Sequence, residues 1–331
     1  MPTRTDRFGQ RANTRAARIS ALLSETYWAA ASQFPVSNDY TSDDISCQFS
    51  YLYQRGFLER RRNPQGRGYQ YRIGVARNWL TDPFTFGVEI EFLFPATSAR
   101  SMSEAMGIVA GALRLEGLDA HAEGYSHITR PHWKVVYDSS VRAQGYFGLE
   151  VVSPILLGDA GEAQVRQVCA ALTAAGAKIN VTCGLHVHIG MPRSSEMLQV
   201  EAVDDFYRLA EAHFDAIQPP SRHNGTFCRA LSQAPRGSRY RKVNTNAFNR
   251  HRTVEFRQHS GTVEGDKVVH WVRLVRAVVT LLATHNFNAR VSYTNPDSFD
   301  AFLALFNLPA DTVAHFQTRR QKFARRQAAA A

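Results

Sequence analysis

Helical and strand-like periods alternate along most of the chain. Apolar residues recur at helical spacing in four stretches after residue 100, at about 101–117, 160–176, 196–217 and 266–284. Three shorter stretches alternate apolar and polar residues as strands do, and these are Phe86–Phe92, Gly184–Ile189 and Thr253–His259. The first lies within a strand that we expect at Phe84–Phe94. Helices interspersed with strands that have one polar face predict an α+β domain with an antiparallel sheet.

The first 80 residues carry a different pattern. Apolar residues from Thr14 onward fall on one helical face, and we expect this helix to end just before Pro35. The run Thr41–Asp44 is typical of a helix start, because its side-chain oxygens can accept hydrogen bonds from the first free amides. A turn at 63–68 and an alternating strand at Tyr69–Ile73 complete a predicted order of helix, helix and hairpin.

This order resembles a winged helix-turn-helix domain. The segment YLYQRGFLERRRNPQGRGYQYRI carries the resemblance, since a basic run and a glycine-rich turn precede an aromatic strand. Winged helices contact nucleic acid or protein, and the arginine cluster favours neither. The predicted divisions of the chain are a disordered basic leader at 1–13, a winged-helix-like domain at 14–80, a larger domain at 81–315 and a basic tail at 316–331.

Positive charge is concentrated at the two ends of the chain. The chain has 331 residues and a formal net charge of +10. Residues 1–80 hold twelve arginines against six acidic residues, and 319–326 add five cations. This balance suits a nucleic acid, an anionic cofactor or an acidic substrate. Because no apolar run of about 18 residues and no signal-type leader is present, we expect a soluble cytoplasmic protein with no membrane partner.

Ionisable residues occur in pairs on the three predicted strands. Each strand places two of them at i and i+2, so both side chains of a pair lie on the same face. The intervening residues, such as Val88, Val187 and Phe256, would then point into an apolar layer. The pairs are Glu89 and Glu91, His186 and His188, and Glu255 and Arg257.

Three glutamates and two histidines on such strands predict a cation site. Two carboxylates on one strand face repel unless a cation lies between them. Mg²⁺ takes oxygen ligands, Mn²⁺ also accepts an imidazole, and the planar guanidinium of Arg257 suits phosphate. Taken singly, each pair is as well explained by an exposed edge, a zinc site or a surface ion pair. Their combination on apolar-backed strands favours one common metal and phosphate site.

Two further acidic residues extend this candidate site. Glu150 lies in a short apolar strand, where it is either a metal ligand or a buried ion-pair partner. Asp138 follows an alternating segment and is either a candidate near the site or the cap of the Ser-Ser turn. Glu123 and Glu264 are spare candidates, and His259 is more consistent with a structural role.

The ordered motifs resemble the amidoligase family of carboxylate–amine ligases, which is related to glutamine synthetase and glutamate–cysteine ligase. The segments that match lie between Phe84 and Thr284 and read FGVEIEF, WKVVYDSS, GLEVVSP, CGLHVHIG, RYRKVN and RTVEFRQHSGT. The resemblance implies a glutamine-synthetase-like curved antiparallel sheet flanked by helices. It also implies that ATP phosphorylates a carboxylate, that an amine attacks the acyl phosphate, and that Mg²⁺ or Mn²⁺ bridges the phosphates.

The resemblance further implies roles for individual residues. The metal ligands would be Glu89, Glu91, Glu150, His186 and Glu255. The ATP-binding residues would be His188, Arg257, Tyr240, Arg241 and Asn244. The catalytic set would be Arg257, Asp138 and Glu89, with Arg257 facing the γ-phosphate and Asp138 near the amine substrate. The carboxylate is predicted only as a class, on a peptide, a small molecule or a macromolecule.

Two other functions fit parts of the sequence. A nucleic-acid-binding regulator with a metabolite-sensing, catalytically inactive ligase-like domain would account for the winged-helix-like start and the positive charge. It predicts salt-sensitive binding to DNA and no ATP turnover. A metal-dependent hydrolase or oxygenase could use His186, His188 and Glu255 as ligands, but it leaves the paired glutamates unexplained.

Overall fold

The computed structural model describes residues 14–23, 28–54, 58–64, 66–73, 84–124, 126, 128–191, 197–284 and 295–328. The chain divides into two units, Met1–Pro83 and Phe84–Ala331. The predicted leader at 1–13 lies outside the described residues. Of the described helices, none has both the length and the apolar character that a bilayer span requires.

The smaller unit packs two helices against a three-stranded antiparallel sheet of order β1-β3-β2. Its elements are α1 (Arg15–Ser20), β1 (Ala29–Ala30), α2 (Ser42–Gln54), β2 (Leu58–Arg62) and β3 (Tyr69–Ile73). Helix α2 begins where the sequence predicts. The amide of Asp44 donates to Thr41 Oγ1 at 3.2 Å, and the amide of Thr41 donates to the Asp44 carboxylate at 2.7 Å. This reciprocal pair satisfies amides that the first helical turn leaves free.

The first helix is shorter than the sequence predicts. It ends at Ser20, and Ala29 and Ala30 pair with Tyr71 and Gln70 of β3. Pairing with the hairpin satisfies backbone groups that a longer helix would have satisfied internally, so tertiary context outweighs the local periodicity. The order of helix, helix and hairpin is present, and the winged-helix assignment stays a prediction.

The larger unit is an α+β assembly, as predicted. Its strands are β4 (Phe86–Pro95), β5 (Ala120–Ala122), β6 (Trp133–Tyr137), β7 (Tyr146–Val152), β8 (Gly184–Gly190), β9 (Val243–Asn244) and β10 (Thr253–Ser260). Its helices are α3 (Met102–Leu115), α4 (Gly158–Ala174), α5 (Met197–Leu209), α6 (Glu211–Asp215), α7 (Ala247–His251), α8 (Gly265–Thr284), α9 (Phe299–Ala304) and α10 (Ala310–Ala328). The helix predicted at 196–217 is divided at Ala210 into α5 and α6.

The seven strands form one mixed sheet in the order β5-β6-β7-β4-β8-β10-β9. Neighbouring strands are antiparallel except β5 and β6, which are parallel. The prediction of a wholly antiparallel sheet is therefore wrong at this edge. Parallel neighbours need a long connection, and residues 123–132 provide one that returns the chain to the start of β5. The glutamine-synthetase-like shape of the sheet stays a prediction.

One face of the sheet is apolar and lies beneath helices. Val88, Ile90, Val187 and Phe256 are at most 1% exposed and belong to the same core as residues of α3, α4, α5 and α8. Burying each such side chain contributes about 1.5–3 kcal/mol to folding. The alternation of strand side chains then leaves the ionisable pairs on the opposite face.

Residues predicted as a basic tail at 316–331 continue helix α10 as far as Ala328. Phe316 and Phe323 are buried, and Arg319 donates to the carbonyl oxygen of Ile217. This segment therefore packs onto the larger unit, and its apolar residues, spaced seven apart, supply the contact.

Candidate active site

Strand register brings the charged residues into adjoining rows on one face of the sheet. Strands β7, β4, β8, β10 and β9 are consecutive neighbours, so a residue on one lies beside a residue on the next. Directly opposed residues of neighbouring strands share a face. The rows pair Glu91 with Glu150, Glu89 with His186, His188 with Glu255, and Glu255 with Asn244.

Glu91 and His186 pack together where β4 and β8 approach closely. One oxygen of Glu91 accepts a hydrogen bond of 2.6 Å from the amide of Gly184, and the other lies 3.5 Å from His186 Nε2. A β-carbon at Gly184 would lie 3.1 Å from that nitrogen and 3.2 Å from a guanidinium nitrogen of Arg222. Glycine at this position therefore leaves room for three buried polar side chains.

Glu89 links the two histidines. Its carboxylate oxygens lie 3.1 Å from His186 Nδ1 and 3.3 Å from His188 Nε2. Burial acts to raise the pKa of Glu89, but hydrogen bonds and charges of both histidines outweigh it and hold the pKa well below its usual value. For His188, burial acts to lower the pKa, and Glu89 and Glu255 outweigh it and raise the pKa overall. Thr253 Oγ1 lies 2.9 Å from the other ring nitrogen of His188 and orients the imidazole.

Glu255 is held between Arg257 and Asn244. Arg257 donates to one carboxylate oxygen, and Asn244 Nδ2 donates to the other at 2.6 Å. Burial acts to raise the pKa of Glu255, but the charges of Arg257 and His188 outweigh it and lower the pKa overall. The β8–β10 register shifts after Phe256, and a bulge of this kind re-aims the side chains that follow it.

Glu150 and Asp138 form the end of the site nearest β6. Burial raises the pKa of Glu150 well above its usual value, and the charges of Glu89 and Glu91 act in the same direction. Asp138 Oδ1 accepts a hydrogen bond of 2.7 Å from the amide of Ser140, so this residue caps the turn after β6. A carboxylate oxygen of Asp138 also lies within 4.8 Å of one from Glu91 and one from Glu150. Asp138 therefore caps the turn and also lies near the site, so the two interpretations of this residue are compatible.

The turn after β6 lies directly over β7. A β-carbon at Gly148 would lie 2.7 Å from the carbonyl oxygen of Asp138 and closer still to that of Val141. Glycine at 148 is thus the feature that lets the turn approach the sheet and brings Asp138 near Glu150.

Three overlapping sets of possible metal ligands cross this face. In each set, one donor atom per residue lies within 4.8 Å of the others. Every set has at least two carboxylates, a composition that suits Mg²⁺ or Mn²⁺ better than a soft metal. His186 and His188 fall in different sets. This does not favour the hydrolase or oxygenase hypothesis, in which both histidines and Glu255 would bind one metal ion. The sets are Glu91, Asp138 and Glu150; Glu89, Glu150 and His186; and Glu89, His188 and Glu255.

A comparison with known protein families matches the part of the chain that carries this candidate site. A family model described as "Putative amidoligase enzyme" matches residues 82–234 and 211–279, which together exceed half of the chain. The chain belongs to the amidoligase family. The matched residues of this amidoligase include every described strand of the large sheet, and they leave out residues 1–81 of the smaller unit. No curated protein matches the chain.

Two predicted nucleotide-binding residues just before β9, Tyr240 and Arg241, differ in how they relate to the active site. Arg241 is 1% exposed and pairs with Asp204 of α5 at 3.0 Å, so that carboxylate already neutralises its charge. Arg241 forms none of the site contacts described above. Tyr240 is exposed, and its ring lies 5.8 Å from that of Phe227. Because the carbonyl oxygen of Phe227 accepts from Arg257 Nε at 3.4 Å, Tyr240 borders the site.

Two residues of the amidoligase site were missed in the sequence. Arg222 donates to the carbonyl oxygens of Gln258 and Arg257 and lies near Gly184. It belongs to a short helical turn without periodicity, so no local signal marks it. Thr253, which orients His188, precedes Glu255 by two residues, and strand alternation could have identified it.

Proposed function

We propose that this enzyme uses ATP to join a carboxylate to an amine through an acyl-phosphate intermediate. The observation that carries the proposal is an excess of carboxylate on a mostly buried sheet face. Glu89, Glu91, Glu150 and Glu255 share that face with two histidines and Arg257. Buried like charges are unfavourable without cations between them, and ATP reaches enzymes as a complex with divalent cations.

The donor sets fit Mg²⁺ or Mn²⁺. Carboxylate oxygens supply most of the ligand atoms, and one imidazole in a set suits Mn²⁺. A divalent ion held by these residues would supply positive charge that offsets the charge of the ATP phosphates during phosphoryl transfer. The residues that would hold such ions are Glu89, Glu91, Glu150, His186 and Glu255.

The phosphates would lie near Arg257 and His188. Arg257 donates to Glu255, and its planar guanidinium has further donors for phosphate oxygens. Asn244 is fixed beside the same carboxylate, and Tyr240 at the border offers an exposed ring to the nucleotide. Arg241 would act only indirectly, because it pairs with Asp204.

The carboxylate and the amine would meet near Glu89 and Asp138. A substrate carboxylate oxygen attacks the γ-phosphorus, and ADP leaves. The amine nitrogen then attacks the acyl carbon, the bond to the phosphate oxygen breaks, and the amine loses a proton. Asp138 is half-buried beside Glu91 and Glu150, and it is our candidate for accepting that proton.

The test is ATP binding by calorimetry with Mg²⁺ and then with Mn²⁺. We expect binding that requires a divalent ion and that weakens at least about tenfold, or about 1.4 kcal/mol, in Glu89→Ala and in Arg257→Ala. Arg250→Ala is the matched control, because Arg250 is an exposed arginine of α7, and it should bind as the wild type does. A screen of carboxylate and amine pairs for phosphate release would follow. If the wild type bound no ATP with either metal, the catalytic proposal would be rejected.

An exposed basic strand in the smaller unit supports a second candidate, a regulator that binds nucleic acid. Arg60, Arg61 and Arg62 of β2 are exposed, and the guanidinium of Arg60 lies 4.1 Å from the ring centre of Tyr53 and 4.0 Å from that of Tyr69. Arginines beside aromatic rings suit phosphates and bases. Salt-sensitive DNA binding together with no ATP binding would favour this candidate over the ligase. Binding to a protein but not to nucleic acid would contradict it.

A further inference from the structure

A second group of possible metal ligands lies at the parallel edge of the large sheet. Asp119, His121 and Glu123 alternate along β5 and its flanks, and His132 directly precedes β6. In the β5–β6 register, Ala120 lies opposite Trp133. Because Trp133 and Ala120 are buried in the core, the residues on either side of them point to the other face. The pairing of the two strands therefore brings the four side chains together.

The two imidazoles of this edge cluster lie side by side. The ring centroids of His121 and His132 are 4.3 Å apart. Each ring also has its own carboxylate: His121 Nε2 lies 2.8 Å from Asp119 Oδ1, and His132 Nε2 lies 2.5 Å from Glu123 Oε1. Donor atoms of Asp119, His121 and His132 all lie within 4.8 Å of one another. Small side-chain adjustments would bring them to one ion.

We propose that this edge cluster binds Zn²⁺ or a similar borderline metal, with His121, His132 and Asp119 as ligands. Two imidazoles and a carboxylate are a donor set that Zn²⁺ prefers, whereas Mg²⁺ prefers oxygen alone. Glu123 completes the environment, as a fourth ligand or as the acceptor that orients His132. Arg130 Nε donates to Glu123 at 3.1 Å and holds that carboxylate in place.

The edge cluster is distinct from the ligand sets of the active site. Strand register forms a row from His121 through Lys134 and Val152 to Glu89. Three strand spacings separate the ends of that row, which corresponds to roughly 14 Å. One ion cannot reach both groups, so each donor set acts independently and the two differ in the metal they prefer.

An ion at the edge cluster would link the two ends of the segment that connects β5 to β6. Asp119 and His121 precede this connection, and His132 ends it. Lys134 Nζ, in the same row as Glu89, donates to the carbonyl oxygens of Ser126 and Ile128 within it at 2.9 Å each. The metal would therefore secure a segment that already contacts the sheet face beside the active site. The inference does not rest on the proposed ligase activity.

The test is zinc binding to the full chain in the presence of excess Mg²⁺, which occupies oxygen-rich sites. We expect the double variant His121→Ala, His132→Ala to bind one Zn²⁺ fewer than the wild type by calorimetry. With Co²⁺ as the probe, the variant should also lose visible absorption that the wild type gains. The side chains of His121 and His132 are 53% and 18% exposed, and thermal unfolding checks that the double variant keeps its fold.

Matched single variants sharpen the result. Asp119→Asn should weaken zinc binding at least about tenfold, the lower end of the loss typical of altered metal sites. Glu116→Gln, an exposed carboxylate three residues away, should have no effect. The proposal is overturned if the wild type binds no zinc under these conditions. It is also overturned if the double variant binds as many Zn²⁺ ions as the wild type does, with an affinity within tenfold of the wild-type value.

Discussion

Buried charge occurs in two regions of the larger unit, and the two regions balance it differently. On the helix side, Arg241 pairs with Asp204 at 3.0 Å, and Lys242 lies 2.7 Å from Glu211 and 2.6 Å from Asp215. Both of these buried cations meet a carboxylate. On the active-site face, four glutamates meet two histidines and Arg257, and the nearby Arg222 and Lys134 donate to backbone carbonyl oxygens instead.

The difference separates charges that hold the fold from charges that await a ligand. A matched buried pair is complete in the free protein, and removing one partner leaves an unpaired charge. An excess of carboxylate is incomplete until a cation arrives, and the free protein bears the repulsion. The same substitution, a loss of one carboxylate, should therefore have opposite effects on stability in the two regions.

The largest effect is expected on the helix side. Asp204→Ala should lower the free energy of unfolding by about 3–5 kcal/mol, because Arg241 would remain buried without its carboxylate. The measurement is urea denaturation. Its matched control is Asp205→Ala, since Asp205 is 56% exposed and pairs with Arg236 at the surface. Asp205→Ala should lower the free energy of unfolding by about 1 kcal/mol or less. Equal losses in the two variants would contradict the distinction.

A smaller effect is expected from adding a divalent ion. Mg²⁺ or Mn²⁺ at a hundredfold excess over its dissociation constant should stabilise the wild type by about 2.7 kcal/mol, because the ion binds only the folded site. Glu91→Gln should abolish most of this gain, and Asp205→Ala should retain it. Thermal unfolding with and without the ion measures the difference. A gain of the same size in Glu91→Gln would place the ion elsewhere.

Removing one carboxylate from the active-site face should stabilise the metal-free protein. Burial and two neighbouring glutamates raise the pKa of Glu150, so its folded pKa exceeds its unfolded pKa and stability declines as the pH rises between them. Glu150→Gln removes this loss of stability and should raise the free energy of unfolding by about 1 kcal/mol at pH 7. The gain should shrink towards pH 5, where the wild-type carboxyl is more protonated. Destabilisation by Glu150→Gln would indicate that its carboxylate is matched after all.

The smallest effect concerns pH and lies away from both regions. Burial lowers the pKa of His315 to about 4, with positive charge on His270 and Arg319 acting in the same sense. The pKa of His315 is thus lower in the folded protein than in the unfolded chain, where it is about 6.5. The neutral imidazole therefore stabilises the folded protein above about pH 6.5, and this contribution is lost as the pH falls towards 4. Because His315 is partly exposed, we expect about 1 kcal/mol or less between pH 7 and 5. Thermal unfolding of His315→Gln should depend less on pH over this range.

Local pattern predicted the elements of the site better than its assembly. Alternation at Glu89 and Glu91 and at His186 and His188 indicated which side chains share a face, and the register agrees. Alternation has a period of two residues and contains no information on which strands become neighbours. The position of Glu91 opposite Glu150 therefore emerges only in the folded sheet.

Long-range partners account for what the sequence left unpredicted. Arg241 stands in a motif for which the family resemblance predicted nucleotide binding, yet its partner is Asp204, which lies on another element. Arg222 enters the site from a turn with no periodic pattern. The parallel β5–β6 edge depends on the path of a connection rather than on the composition of the strands. In each case the decisive contact joins residues whose local sequences are independent.

Gly148 also restricts how this enzyme can vary. Because any side chain there would collide with the backbone of the turn above, relief by a rotamer change is not available. A saturation library at this position should return glycine alone among functional clones. The neighbouring Tyr146 is 37% exposed and should accept many replacements. Variation on this strand is thus excluded at the position beneath Asp138 and is possible two residues before it.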